Sequence, residues 1–326
     1  MLDLLVSLAI MTGFGLLAGI AGASLQRRAS QSVGSRTIVV IAQLFATAGM
    51  LAYLNWVWDR PILATLFPFS AAIILGNWLP VAGAFFAGVC AFTDRISIHR
   101  RAVFVSSLVF LSCYSLVSPL LGEAPDCEVS TNTYQLLEPQ TTDHTCSAAC
   151  AAGLLKMHGI HATEEELSEL CLTRRGTHWL GVYRGLKLKT AGTEWDVVVE
   201  EIRGADLLTH ANVKGILALS FVHDEVDSLE TGFGTDVGHT VISFGVTSVR
   251  TLGVFDPSPD FGFESWNGRI IEGVDKAILL RLVSRHGSPS PLTQIDVHRP
   301  STWNHVTSAS EFIKLPSVTM ASQSRY

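Results

Sequence analysis

Apolar residues in the first third of the chain come in long runs, not at helical or alternating spacing. Four stretches stand out, at roughly residues 2–25, 37–58, 69–92 and 102–121. About twenty consecutive apolar residues, as helix, span the roughly 30 Å hydrocarbon core of a bilayer. Each stretch therefore predicts a membrane-crossing helix. The third is irregular: nothing between Arg60 and Asp94 is charged, yet Pro61, Pro68 and Pro80 interrupt the run. The reading is one span near 69–92 preceded by an interfacial segment, with Trp56, Trp58 and Trp78 placed for the interface. Ala21 and Ala23 resemble a signal-peptide cleavage pair. The start MLDLL, however, lacks the basic residues of a signal peptide, so a retained helix is expected.

Beyond residue 121 the pattern changes to short elements. "SAACAAGLLKMHG" predicts a helix ending at Gly159, a natural residue just past a helix end. "TEEELSELC" carries a capping box, Thr163 with Glu166, and its acidic first turn suits the helix dipole. "LGVYRGLKLKTAG" offers a third helix. The runs "WDVVVE", "GILALSFV", "HTVISFGV", "VRTLGVFD" and "AILLRLV" predict strands. Helices followed by a mostly antiparallel sheet give an α+β domain. About 160 residues, from 127 to 285, suffice for one buried core. The polar, Ser/Thr-rich tail 286–326 is expected to be loosely docked.

Charge separates the same two regions. Residues 1–121 hold seven Arg and three Asp, a net +4, whereas 122–326 sum to −10. The loops around Arg27, Arg28 and Arg36, and around Arg95, Arg100 and Arg101, are the basic ones. Basic loops remain cytoplasmic. Four spans then put both loops inside, and the N-terminus and whole second region outside a bacterial cytoplasmic membrane. No span contains an internal Asp, Glu, Lys, Arg or His, so the helices read as an anchor rather than a transport path. The acidic second region has no clustered basic face for nucleic acid.

The candidate chemistry lies at "QTTDHTCSAACAAG". A helix N-terminus stabilises an anion, so Cys146, at the front of its helix, is the candidate nucleophile. Cys150, one turn in, reads as a core cysteine. A thiol nucleophile needs a base and an orienting group. His239 opens one strand and Asp256 closes the next, just before Pro257. A hairpin turning at Thr247 and Ser248 would set His239 directly opposite Asp256, on one face of the sheet.

These residues resemble the bacteriocin-processing, double-glycine leader peptidases, papain-like cysteine peptidases often fused to peptide-exporting ABC transporters. The resemblance rests on Gln140 six residues ahead of Cys146, the helix ending "KMHG", Gly176 and Thr177 before a helix, and the pair Asp256–Pro257. It covers about residues 140–283. It implies a papain-like peptidase domain with Cys146 attacking a peptide carbonyl, His239 relaying the proton and Asp256 orienting the imidazole. It also implies that Gln140 and the Cys146 backbone N–H hold the oxyanion. The family's Asp-Cys-Gly is here Thr145–Cys146–Ser147. No Gly-rich Lys phosphate loop occurs in the chain, so it carries no ATP site, and any transporter partner would be a separate chain.

The expectation is a membrane-anchored cysteine endopeptidase acting on peptide or leader substrates without a cofactor or metal. Its parts are a membrane domain (1–121), a peptidase domain (122–285) and a tail (286–326). Two rivals are a catalytically silent peptide-binding receptor and a cell-wall amidase. His144, His158 and His161 match no zinc-ligand spacing. In an oxidising compartment the reading favours a Cys150–Cys171 bridge between adjacent helices, leaving Cys146 free, with Cys127 the remaining outer cysteine. Trp179, Trp195 and Trp266 read as core or cleft-wall residues.

Overall fold

The computed structural model describes residues 1–29, 33–94, 96–128, 136–221, 238–247, 250–287 and 290–294. The chain divides into two compact units, Met1–Glu123 and Ala124–Tyr326.

The first unit is all helix: α1 (Leu2–Ala29), α2 (Val33–Trp56), α3 (Ile62–Leu66), α4 (Ala72–Leu75), α5 (Leu79–Ala91) and α6 (Ile98–Val117). Among the described residues four segments are long and apolar enough to cross a membrane: Leu2–Ala29, Arg36–Trp56, Ala72–Ala91 and Ile98–Leu120. Their outward side chains, among them Leu16, Leu17, Leu44, Phe45, Phe104 and Phe110, are exposed, a surface suited to hydrocarbon rather than water. The third segment is broken, as its prolines require. Pro61 precedes α3, and Pro80 lies in the first turn of α5, where its missing N–H costs nothing. At the break between α4 and α5, buried Asn77 accepts from the Leu79 amide at 3.3 Å and donates to Ser115 O and Oγ, both at 2.9 Å. The side chain thus occupies backbone groups that the helix leaves unpaired.

Small residues let α1 and α5 touch backbone to backbone. A Cβ on Gly22 would overlap the Phe85 carbonyl, and one on Gly88 the Gly19 carbonyl. Helix pairs in lipid associate through such close packing because apolar burial gives no net drive there. Gly88→Leu is therefore expected to cost about 3 kcal/mol through overpacking against backbone. Gly13→Leu, where an added Cβ meets nothing within 4 Å, should be neutral. Thermal unfolding of both variants in the same detergent checks this; equal midpoints would refute it.

The second unit is α+β. Helix α7 (Cys146–Met157) is Ala-rich and almost wholly buried. It ends at Gly159, whose φ of +72° suits glycine. Helix α8 (Glu164–Leu170) is capped by Thr163, whose hydroxyl accepts from the Glu166 amide at 3.1 Å. Helix α9 (Trp179–Lys189) is capped by His178, which accepts from the Leu180 amide at 3.2 Å. The strands are β1 (Trp195–Arg203), β2 (Lys214–Phe221), β3 (His239–Val246), β4 (Leu252–Asp256), β5 (Gly262–Trp266) and β6 (Val274–Ser284). Among the described residues they form one antiparallel sheet ordered β1-β6-β2-β3-β4-β5.

Alternation gives the sheet two distinct faces. Leu217, Leu219, Val241, Leu252, Val254 and Trp266 join one core with Leu207 and Ile271. Helix α7 lies on the other face. Ser147 Oγ meets Thr240 Oγ1 at 2.8 Å, the Cys150 thiol donates to Thr240 O at 3.4 Å, and Gly153 leaves room for Leu137 and Ile242.

Several expectations change. Strand β5 and the short helix Gly268–Glu272 were absent from the sequence reading. The start of the tail is docked firmly: His158 Nε2 lies 2.9 Å from Ser290 Oγ, Lys214 Nζ donates to Leu292 O at 3.0 Å, and Leu292 is buried. Residues 295–326 lie outside the described ones. Cys150 and Cys171 are free thiols, not a bridge. Cys150 faces β3, whereas Cys171 packs into the glycine face of α9 at Gly181 and Gly185. Trp179, Trp195 and Trp266 are buried.

Candidate active site

The loop before α7 is tied down from three sides. The Gln140 amide donates to Pro257 O at 2.6 Å, joining this loop to the residue after Asp256. The Thr141 amide donates to Glu164 Oε1 at 2.9 Å. Buried Thr145, which immediately precedes α7, donates through Oγ1 to Thr142 O at 3.0 Å. Glu164, expected to serve the dipole of α8, is instead buried as this anchor. Cys146 thus enters the first position of α7, partly exposed, where helix geometry leaves its own N–H without an intrahelical partner.

His239 opens β3 and Asp256 closes β4. His239 Nε2 lies 3.0 Å from Asp256 Oδ2, and both residues are buried. Asp256 Oδ1 accepts from the Ser258 amide at 2.8 Å, which fixes the carboxylate plane. The imidazole also interacts with the Cys146 thiol strongly enough to shift both groups, the sulfur toward the thiolate and the ring toward the imidazolium. The three groups thus influence one another, with the hydrogen bond between His239 and Asp256 at the centre.

The pairing differs from the expected hairpin. Thr247 and Thr251, not a two-residue turn, close the loop, through Thr247 N to Thr251 O at 2.8 Å; Ser248 lies outside the described residues. The ladder runs Val246↔Leu252, Gly245↔Gly253, Ser243↔Val254 and Ile242↔Phe255. Continued, it sets Asp256 level with Val241. His239 and Asp256 are therefore diagonal neighbours on one face rather than directly opposed, still within reach for long side chains.

Burial pushes the Cys146 thiol up, but hydrogen bonding to His239 and its positive charge reverse this, and the net shift is downward from 9.0. Burial pulls His239 down, but the bonds to Asp256 and Cys146 lift it from 6.5 to about 9. The two shifts favour a thiolate–imidazolium pair between the lowered thiol value and about pH 9. The raised His239 value stabilises the fold fully below about pH 6.5, and that contribution is lost as pH rises through about 9. Burial, then the nearby Cys146 and Asp256, push Cys150 well above 9.0, which leaves it an inert core thiol. Burial also pushes Cys171 up to about 12.

Gln140 is placed beside this group by its backbone, but its carboxamide turns to its own loop. Nε2 donates to Thr142 O at 2.9 Å, and Oε1 is buried without a partner among the described residues. One Nε2 hydrogen remains to donate.

Sequence reasoning missed Glu264. It pairs with Val254 across β4 and β5, which puts it on the face of Asp256. Trp266 Nε1 donates to its Oε2 at 2.7 Å. Burial, then repulsion from Asp256, raise its carboxyl, while attraction to His239 lowers it. The alternation in "GFESW" was the available signal.

No family model matches the chain, and no curated protein matches it. Among solved structures, it is similar to the peptidase domain of Streptococcus ComA, a bifunctional ABC transporter involved in a quorum-sensing pathway. Identity there is 21%, over 44% of this chain and 96% of that one, with a TM-score of 0.35. The peptidase domain of Streptococcus mutans ComA is similar at 19% identity over 44% of this chain and 98% of that one, with a TM-score of 0.30.

Proposed function

We propose that the chain is a membrane-anchored cysteine endopeptidase. Residues 1–121 form the anchor, and residues 122–285 form the peptidase domain, on the outer face of a bacterial membrane. The observation that carries this reading is the buried His239–Asp256 pair at 3.0 Å, with its imidazole coupled electrostatically to Cys146 at the front of α7. The Cys146 thiolate attacks a peptide carbonyl carbon, forming a C–S bond and an oxyanion. The free Cys146 N–H and the remaining Nε2 hydrogen of Gln140 are the donors for that oxyanion. As the C–N bond breaks, the His239 imidazolium gives its proton to the leaving amine. A water, deprotonated by neutral His239, then cleaves the thioester and regenerates the thiolate. Asp256 keeps the ring oriented throughout. The substrate class is a peptide or leader segment, and any transporter that exports the product is a separate partner.

A second reading is a peptide-binding domain without turnover. It is favoured by one observation: the Gln140 carboxamide is engaged with Thr142 O rather than held open.

The full chain in detergent, incubated with an internally quenched peptide library, separates the two. The peptidase reading expects cleavage whose rate rises with ionisation of Cys146. Above about pH 9 the rate falls as His239 loses its proton. Thiol alkylation at Cys146 should track the same rise and abolish cleavage. Peptide binding without cleavage at any pH would establish the second reading instead.

A further inference from the structure

The ladder between β3 and β4 does not keep one register. From Val246↔Leu252 and Gly245↔Gly253 it shifts to Ser243↔Val254 and Ile242↔Phe255, so Phe244 is an extra residue on β3. Side chains alternate faces with a period of two, so a one-residue shift exchanges faces. In the register set at the loop end, Asp256 would lie level with Ile242, whose face meets α7. His239 lies two positions from Val241, on the other face. The shift moves Asp256 level with Val241 and so onto the His239 face. On both sides of the irregularity the apolar positions Val241, Val246, Leu252 and Val254 point into the same core.

We infer that this β-bulge is a positioning device, with Gly245 as its positioning residue, that brings Asp256 onto the face of His239. Three features hold it. Gly245 takes φ +104°, a conformation that side chains other than glycine adopt only with strain. The Gly245 amide donates to Ser243 Oγ at 3.2 Å, and Ser243 is fully buried. Phe244 packs its ring 5.8 Å from Phe263, on the face opposite His239. A Cβ on Gly245 would press on the Lys214 side chain, Cε at 3.0 Å and Cγ at 3.3 Å, but on no backbone atom. The requirement is the backbone angle. Among the described residues, the charged and titratable groups that act on His239 include Cys146 of α7, Asp256 of β4 and Glu264 of β5.

The inference deepens the proposed function, since it takes Asp256 as the partner of His239, but its test does not depend on turnover. Gly245→Val forbids the bulge. Deleting Phe244 removes the extra residue and makes the ladder regular, with Asp256 on the correct face and no need for a positive φ. The measurement is an NMR titration of His239 in the histidine-labelled full chain in micelles, with pH-dependent alkylation of Cys146 alongside.

Wild type is expected to titrate near 9. Gly245→Val alone should fall toward the ordinary 6.5, or fail to fold. Gly245→Val combined with Phe244 deletion should fold and titrate near the wild-type value again. A wild-type titration in Gly245→Val would overturn the inference, as would a double variant that stays shifted or unfolded. If the titrations follow this pattern while no peptide is ever cleaved, the peptidase reading fails and the bulge's role stands.

Discussion

Cys146→Ala is expected to reduce peptide cleavage to background, a loss in kcat on the order of 10⁶-fold by analogy with removal of a serine nucleophile. The size follows from the chemistry: without sulfur no acyl-enzyme forms, and the remaining donors only bind. Stability should fall modestly below about pH 9, because Cys146 is partly exposed at a helix start but helps to raise His239. His239 should respond, since hydrogen bonding to the thiol helps to lift it to about 9. The same substitution at Cys150, buried against Thr240, should lower stability and spare the chemistry. Cleavage assays and thermal melts of both variants check this. Turnover that survives Cys146→Ala would end the peptidase reading.

Asp256→Asn should lower turnover by about 10⁴-fold, the scale found when a triad aspartate elsewhere becomes its amide. The side chain is fully buried, and its two oxygens take the Ser258 amide and His239 Nε2. The amide keeps the shape but loses the charge, so the imidazolium loses its largest favourable partner while burial still pulls His239 down. The alkaline limb of the pH profile should therefore move from about 9 toward 6.5 or lower. The rise in stability below that limb should shrink with it. Cleavage against pH, paired with denaturant unfolding at pH 6 and pH 10, tests both. An unchanged alkaline limb would mean that Asp256 does not govern His239.

Much was legible in the chain because it is local. Four apolar runs answer to a length requirement that needs no knowledge of neighbours. Thr163 and Glu166 report a helix start, Gly159 a helix end, and Cys146 the front of α7, since caps depend on residues three or four apart. The proline-interrupted third run showed its trouble in sequence, though not the break at Asn77 that resolves it.

What the sequence could not show depends on pairing between distant segments. Strand β3 lies between β2 and β4, and each edge fixes which face its residues take. The resulting conflict of one residue is absorbed at Phe244 and Gly245, which read in sequence as part of a regular strand. The same holds for Glu164 turning to Thr141, for Gln140 tied to Pro257, and for Cys171 sunk into α9 instead of bridged to Cys150. Each is decided by which surfaces meet once the helices lie on the sheet. The residue order by itself marked Cys146, His239 and Asp256 as the candidates for thiol chemistry. Strand register and burial decided that His239 and Asp256 meet, because alternation and desolvation act on neighbours in space rather than in sequence.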